Sequence, residues 1–391
     1  MPAEIIDREN RRQRAVESLG LTQPVQSEKL DRITRVAKSM FGVAFSSITV
    51  LDQDRALYVG KAGFDDAVGA RSDTPCRLVI ESGEVVTTDD ARTDPRFAEV
   101  GNIAAFGLGF YVGYPLKDKS GNVVGSLCLI DQEPRQLSAD EMHEFEDLAA
   151  WAQGELVAEE DAVRAQQTQR ALLPAAPLVA GGAVVEGTCI PSLAVGGDYF
   201  DYGVIDGRLH VGLGDVMGKG TPAAIMGAGI RAAARAMVPS MVDADTLAVG
   251  IGRVELALLS DFQRMGSFAT YFHAMLDLTS GVLRWVDAGS GLTLLVSADG
   301  SYRRLAGLGL PLGIDRQAHD AHETQLVAGD RLVLISDGVL DILDSDDWVA
   351  ELAPVVRDAD ASRDVLDAIT ALTIARVPLD DVTVVVLEYR P

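Results

Sequence analysis

One long helical stretch splits this sequence into two halves of different texture, and that split bounds what the chain can become. Ser138-Ala139-Asp140-Glu141 reads as a capping box, in which a hydroxyl and a carboxylate each satisfy a backbone N–H left unpaired at a helix start. The pattern then runs helical to Leu173, interrupted by Gly154, and about 34 helical residues would span roughly 50 Å. A chain of 391 residues leaves room for an ordinary domain on either side. Phe145, Leu148, Ala152, Leu156 and Val163 offer an apolar seam, weakened towards its far end by Glu159 and Gln166. With no obvious partner in the sequence, that seam is expected to pair with its twin in a homodimer.

Upstream, residues 1 to about 24 read as a leading helix or arm ending near Pro24. Leu30, Ile33, Ala37, Met40 and Phe41 recur at helical spacing. Strand-like runs follow at Ser46 to Leu51, Ala56 to Lys61, Phe110 to Pro115 and Val123 to Ile130, the last two joined by a polar turn at Asp118 to Asn122. Downstream of Leu172-Leu173-Pro174 the texture turns to hairpins, with Asp206-Gly207 and Asp299-Gly300 as two-residue turn signals. Ala269 to Leu276 and Val282 to Val286 flank another turn. Two Ala-rich helical stretches, about Pro222 to Met237 and Asp243 to Phe262, lie among these hairpins. Val382 to Tyr389 closes the chain as a strand too apolar for an exposed edge. The expected fold class is α+β: an antiparallel sheet with helices, a linker helix, then paired antiparallel sheets with helices outside. The expected divisions are an arm at 1–27, a first domain at 28–137, the linker at 138–173 and a second domain at 174–391.

A formal net charge of −24 speaks against nucleic-acid backbones and anionic membranes as partners. Cys76, Cys128 and Cys189 lie far apart without C-x-x-C spacing, which fits neither a disulfide scaffold nor a structural zinc site and suits a reducing cytoplasm. Met1 to Gly20 lacks the apolar stretch of a signal peptide. Pro174 to Gly197 is too broken by Pro177, Glu186 and Pro191 to span a membrane.

Four aspartate positions in the second half share a setting. Asp198 follows Gly196-Gly197, and Asp215 follows Gly214 at the end of a strand. Asp337 comes just after the strand Arg331 to Ile335, and Asp380-Asp381 precedes the last strand. Strand ends can aim ligands at a common point. Hard divalent cations such as Mg2+ and Mn2+ prefer such oxygens, and a pair of them activates water for in-line attack on a phosphoryl group. Rival motifs fail. Gly214 to Gly220 has three residues between its glycines where a phosphate-binding loop has four, and Gly220 stands where Ser or Thr should follow Lys219. The histidines lack metal-pair spacing.

Val195-Gly196-Gly197-Asp198-Tyr199-Phe200-Asp201, Gly214-Asp215-Val216-Met217-Gly218-Lys219-Gly220, Ser336-Asp337-Gly338-Val339-Leu340-Asp341 and Asp380-Asp381-Val382-Thr383 resemble the motifs of the PPM phosphatases in their SpoIIE-type bacterial branch, over about residues 170 to 390. The resemblance implies a metal-dependent protein serine/threonine phosphatase holding two Mn2+ or Mg2+ ions. Asp215 would bridge both metals with the Val216 carbonyl assisting, Asp198 would serve one, and Asp337 with Asp380 the other. Asp381 is the candidate should the register shift by one, and Asp341 could act through water. The implied substrate is a phosphoserine or phosphothreonine protein, an anti-sigma-factor antagonist in partner switching. The branch commonly has Asn-Ala-Gly-His where Asp287-Ala288-Gly289-Ser290 stands, which leaves the general acid unassigned. A silent binding scaffold and a phosphatase of small esters are the alternatives.

Residues 28 to about 158 resemble a GAF domain, a small-molecule-sensing fold. The resemblance rests on Arg32 to Phe41, Ala91-Arg92-Thr93-Asp94-Pro95-Arg96-Phe97, Phe110 to Leu116 and Gly125 to Asp131. It implies a sensor whose ligand is unnamed. Cys76 is followed by Arg77 where bilin-attaching domains place His, which reads as an ordinary buried thiol. Phe106, Phe110 and Tyr111 could line a pocket, with ordinary core as the other reading.

Overall fold

A computed structural model describes residues 3–19, 27–101, 107–343 and 347–391. The chain divides into two compact units, Met1–Arg164 and Ala165–Pro391. Among the described residues, no helix is long and apolar enough to cross a membrane.

In the first unit, α1 (Ala3–Ser18) is followed by α2 (Glu28–Phe41), which Ser27 caps by accepting from the Leu30 N–H. The strands are β1 (Phe45–Asp52), β2 (Arg55–Ala62), β3 (Val68–Ala70), β4 (Val86–Thr88), β5 (Tyr111–Lys117) and β6 (Val123–Ile130). They form one six-stranded antiparallel sheet in the order β3-β2-β1-β6-β5-β4, with the short α3 (Cys76–Ser82) packed against it. The expected apolar stripe of α2 is buried at Leu30, Ile33, Ala37 and Phe41, whereas Met40 is exposed. Pro24 and Phe106 lie outside the described residues. Phe110 and Tyr111 are fully buried core, and a cavity of this unit is lined instead by Phe45, Tyr58 and Phe64 among others.

The long helix α4 spans Ala139–Leu172. Its capping box forms as the sequence requires: Glu141 N–H donates to Ser138 Oγ at 3.2 Å, and Ser138 N–H donates to Glu141 Oε2 at 2.8 Å. The apolar seam is covered from within the chain. Phe145, Leu148, Ala152 and Leu156 are buried in the same core as α2 and the first sheet. The periodicity marks a covered face, but the cover is the chain's own domain, so this seam gives no ground for pairing with a second copy.

The second unit is a two-sheet sandwich flanked by helices. One sheet is made of β9 (Tyr199–Ile205), β10 (Arg208–Val216), β11 (Ala269–Asp277), β12 (Val282–Ala288) and β15 (Ala321–Gln325), in the order β15-β12-β11-β10-β9. The other is made of β7 (Leu178–Ala180), β8 (Ala183–Ile190), β13 (Thr293–Val296), β14 (Tyr302–Leu305), β16 (Arg331–Ile335) and β17 (Val382–Tyr389). Its order is β14-β13-β16-β17-β8-β7. Phe200, Val211, Phe272, Trp285, Leu332 and Leu387 build the layer between them from the inward residues of both sheets. The helices α5 (Thr221–Met237) and α6 (Ala244–Met265) cover the first sheet, and α7 (Trp348–Asp358) and α8 (Ser362–Ala375) cover the second. The final strand β17 lies inside its sheet between β16 and β8 and is buried throughout, as its apolar sequence requires.

Candidate metal centre

The β9–β10 hairpin turns at Asp206-Gly207, both with positive φ, and this two-residue turn fixes the register that carries Asp215 to the far end of β10. Asp215 pairs across to Thr270 on β11, one residue before β10 ends. Asp198 immediately precedes β9. In the other sheet, Asp337 follows β16 and Asp380-Asp381 precedes β17. The two groups meet because Asp381 crosses between the sheets. Its Oδ2 accepts from Gly197 N–H at 2.7 Å, and its Oδ1 accepts from Ser192 N–H at 2.7 Å and from Ser192 Oγ at 3.1 Å.

Glycine is required where these loops close. A Cβ on Gly197 would stand 2.5 Å from the Val216 carbonyl oxygen, and one on Gly196 would collide with the Asp381 carboxylate. The same closeness brings Val216, itself buried, beside the Asp198 loop. Ser336 ties the ends of β16 and β17 together: its Oγ donates to Asp381 O at 3.0 Å and accepts from Thr383 N–H at 2.9 Å.

The electrostatics are those of crowded acids. Burial and the charge of Asp215 push the Asp198 carboxyl well above the usual range. Burial, then the charges of Asp337, Asp380 and Asp381, raise Asp215 to about 7. Asp337 is raised by partial burial and by Asp380 and Asp341. Asp198 is buried, and its Oδ2 has no hydrogen-bond partner among the described residues. Buried acids that raise one another in this way are neutralised by a shared proton or by a cation.

Asp380 and Asp381 separate in role. Asp381 is buried and its two oxygens are used on backbone and hydroxyl donors, whereas Asp380 is partly exposed and faces Lys219 Nζ at 3.3 Å. Lys219 also donates to the Leu379 carbonyl. Lys219 stands in the Gly214–Gly220 motif, but nothing local announced its place beside Asp380. Asp341 is exposed and accepts from Leu379 N–H at 3.1 Å.

Asp287, at the departure from the branch's motif, is buried and staples a turn, accepting from the N–H groups of Ser290, Gly291 and Gly307. Asp201, the second acid of its motif, pairs with Arg231 and Arg235 and belongs to the scaffold. Among the described residues, no three His, Cys, Asp or Glu side chains already close on one point at ligand distance. The donor set nevertheless suits a hard divalent ion: all oxygens, a bare buried carboxylate atom and mutually raised acids.

Residues 205–390 match the family described as Stage II sporulation protein E (SpoIIE), and residues 27–156 match the GAF domain. A cyclic di-GMP phosphodiesterase of Pseudomonas aeruginosa is 34% identical over 128 residues, which cover 32% of this chain and 22% of that protein. The SiaA-PP2C domain of Pseudomonas aeruginosa superposes with a TM-score of 0.52 at 21% identity, covering 61% of this chain and 99% of that one. The RsbU and RsbW domains of a Mycobacterium tuberculosis protein match at 26% identity and a TM-score of 0.49, covering 55% of this chain and 63% of that one. The chain thus spans only about a fifth of the curated relative, and the fold of its second half is that of the PP2C domain.

Proposed function

Since the chain joins a GAF domain to a SpoIIE-type serine/threonine phosphatase domain, we propose that it removes phosphate from a phosphoserine or phosphothreonine protein under control of its N-terminal sensor. The observation that supports the reading is that Asp198 and Asp215 of one sheet and Asp337, Asp380 and Asp381 of the other stand near enough for their charges to act on one another. Asp198, Asp215, Asp337 and Asp380, with the Val216 carbonyl, would hold two Mn2+ or Mg2+ ions. Bound there, the ions supply an activated water and neutralise phosphoryl charge. In this reading Asp381 positions the Asp198 loop through Gly197, and Asp380 is the ligand of the pair. Gly196 and Gly197 let the backbone approach closely, and Lys219 keeps positive charge beside Asp380.

The SpoIIE match supports an anti-sigma-factor antagonist as the substrate, in a cytoplasmic partner-switching pathway. The test is release of phosphate from a phosphorylated antagonist protein and from p-nitrophenyl phosphate, each with Mn2+ and with chelator. Metal-dependent release favouring the phosphoprotein supports the reading. Release from the small ester alone favours a phosphatase of small esters, and no release from either identifies a silent scaffold.

A further inference from the structure

Cys76 on α3 and Cys128 on β6 are 52 residues apart in sequence, yet their sulfurs stand 2.9 Å apart as free thiols. Both are buried, and neither belongs to the metal centre. Their surroundings are polar: Thr49 Oγ1 lies 3.3 Å from Cys76 Sγ, and Ser126 Oγ and Tyr111 OH lie 3.2 and 3.1 Å from Cys128 Sγ. A cavity of about 120 Å³ reaches Cys76 but not Cys128, and Asp66 and Gln132 on its lining are exposed to solvent.

We propose that Cys76 and Cys128 form a peroxide-responsive dithiol that closes to a disulfide. The groups beside the pair, Thr49, Ser126 and Tyr111, are not zinc ligands, which speaks against a metal clip. Two thiolates on one tetrahedral zinc, with Zn–S near 2.3 Å, stand about 3.8 Å apart. A disulfide needs about 2.05 Å, and the observed separation falls between the two. Burial opposes charge on Cys76, but hydrogen bonding with Cys128, Thr49, Thr74 and Ser126 outweighs it and brings the thiol to about 6. Cys128 is pushed well up by burial and by Cys76. Cys76, the sulfur at the cavity, is therefore the attacking thiolate.

The chemistry balances with a hydroperoxide as oxidant. The Cys76 thiolate attacks the peroxide oxygen, the O–O bond breaks, and the remaining oxygen leaves as hydroxide or alkoxide. Cys128 then attacks the sulfenic sulfur, an S–S bond forms, and the hydroxyl leaves as water with the Cys128 proton. The peroxide gains two electrons and the two thiols lose them.

The experiment exposes the full chain to hydrogen peroxide, alkylates it under denaturing conditions and maps its peptides. Alkylatable thiols should fall from three to one, with a peptide joining positions 76 and 128 that dithiothreitol releases. Cys128→Ser should stop at a dimedone-reactive sulfenic acid on Cys76. Cys189, in the other unit and pushed up to about 12, is the internal control. The proposal is overturned if all three thiols stay alkylatable, if Cys189 reacts first, or if the disulfides join separate chains. The wild-type result stands whether or not the variant folds.

Discussion

Gln169 holds both backbone groups of Gly196: its Nε2 donates to the Gly196 carbonyl at 2.7 Å, and its Oε1 accepts from the Gly196 N–H at 3.1 Å. The last turns of α4 thereby grip the loop that carries Asp198. Gln169→Ala should free that loop, costing about 1–2 kcal/mol and weakening Mn2+ binding and turnover about tenfold. Calorimetric Mn2+ titration beside a phosphatase assay reads both. Unchanged affinity and rate would remove Gln169 from control of the site.

Asp380 and Asp381 are neighbours with opposite expected phenotypes. Asp381→Ala strands the Ser192 and Gly197 donors and should lower unfolding stability by about 3 kcal/mol. Asp380→Ala gives up a partly exposed pair with Lys219 and should change stability by less than about 1 kcal/mol, while abolishing metal-dependent turnover. Denaturant melts and assays on the two variants distinguish the roles.

His210 and His273 stack in the first sheet of the second unit, and Tyr271 OH lies 2.7 Å from His273 Nδ1. Burial lowers His210 from 6.5 to about 4, with Arg235 and Arg231 acting the same way and Asp201 opposing. Above pH 6.5 the group is neutral in both states. As pH falls from 6.5 towards 4, the unfolded chain takes up a proton that the fold refuses, so stability is lost across that window. The loss is on the order of 3 kcal/mol. His210→Gln should lack this component, and the stability difference between wild type and variant, followed by urea melts against pH, should move accordingly. A difference that stays flat would contradict the buried neutral assignment.

Much of the fold was legible locally. Hairpin turns at Asp206-Gly207, the capping box at Ser138 and the apolar β17 each depend on residues close in sequence. The acids could be named because each sits beside a strand end and, in most cases, a glycine. What escaped was tertiary. Adjacent residues on an extended chain point opposite ways, so no motif could say which of Asp380 and Asp381 is buried. The α4 seam showed that a face is covered and not by what. Cys76 meets Cys128 only because α3 packs on β6.

Crowded like charge also has a cost in the absence of metal. In chelator, Asp215→Asn should raise unfolding stability on the order of 1 kcal/mol, since it relieves repulsion among Asp198, Asp337 and Asp380. A melting temperature below that of wild type would contradict this.

The proposed function makes Asp215 the residue that joins acids from both sheets into a divalent-metal centre for phosphoester hydrolysis. Its most direct test is Mn2+ titration of the full chain and of Asp215→Asn, with phosphate release from a phosphoserine protein measured on the same samples. Wild type should release phosphate in an Mn2+-dependent way, and the variant should lose about a thousandfold, roughly 4 kcal/mol of transition-state stabilisation, together with weakened Mn2+ binding. A variant that binds Mn2+ and turns over as the wild type does would contradict it.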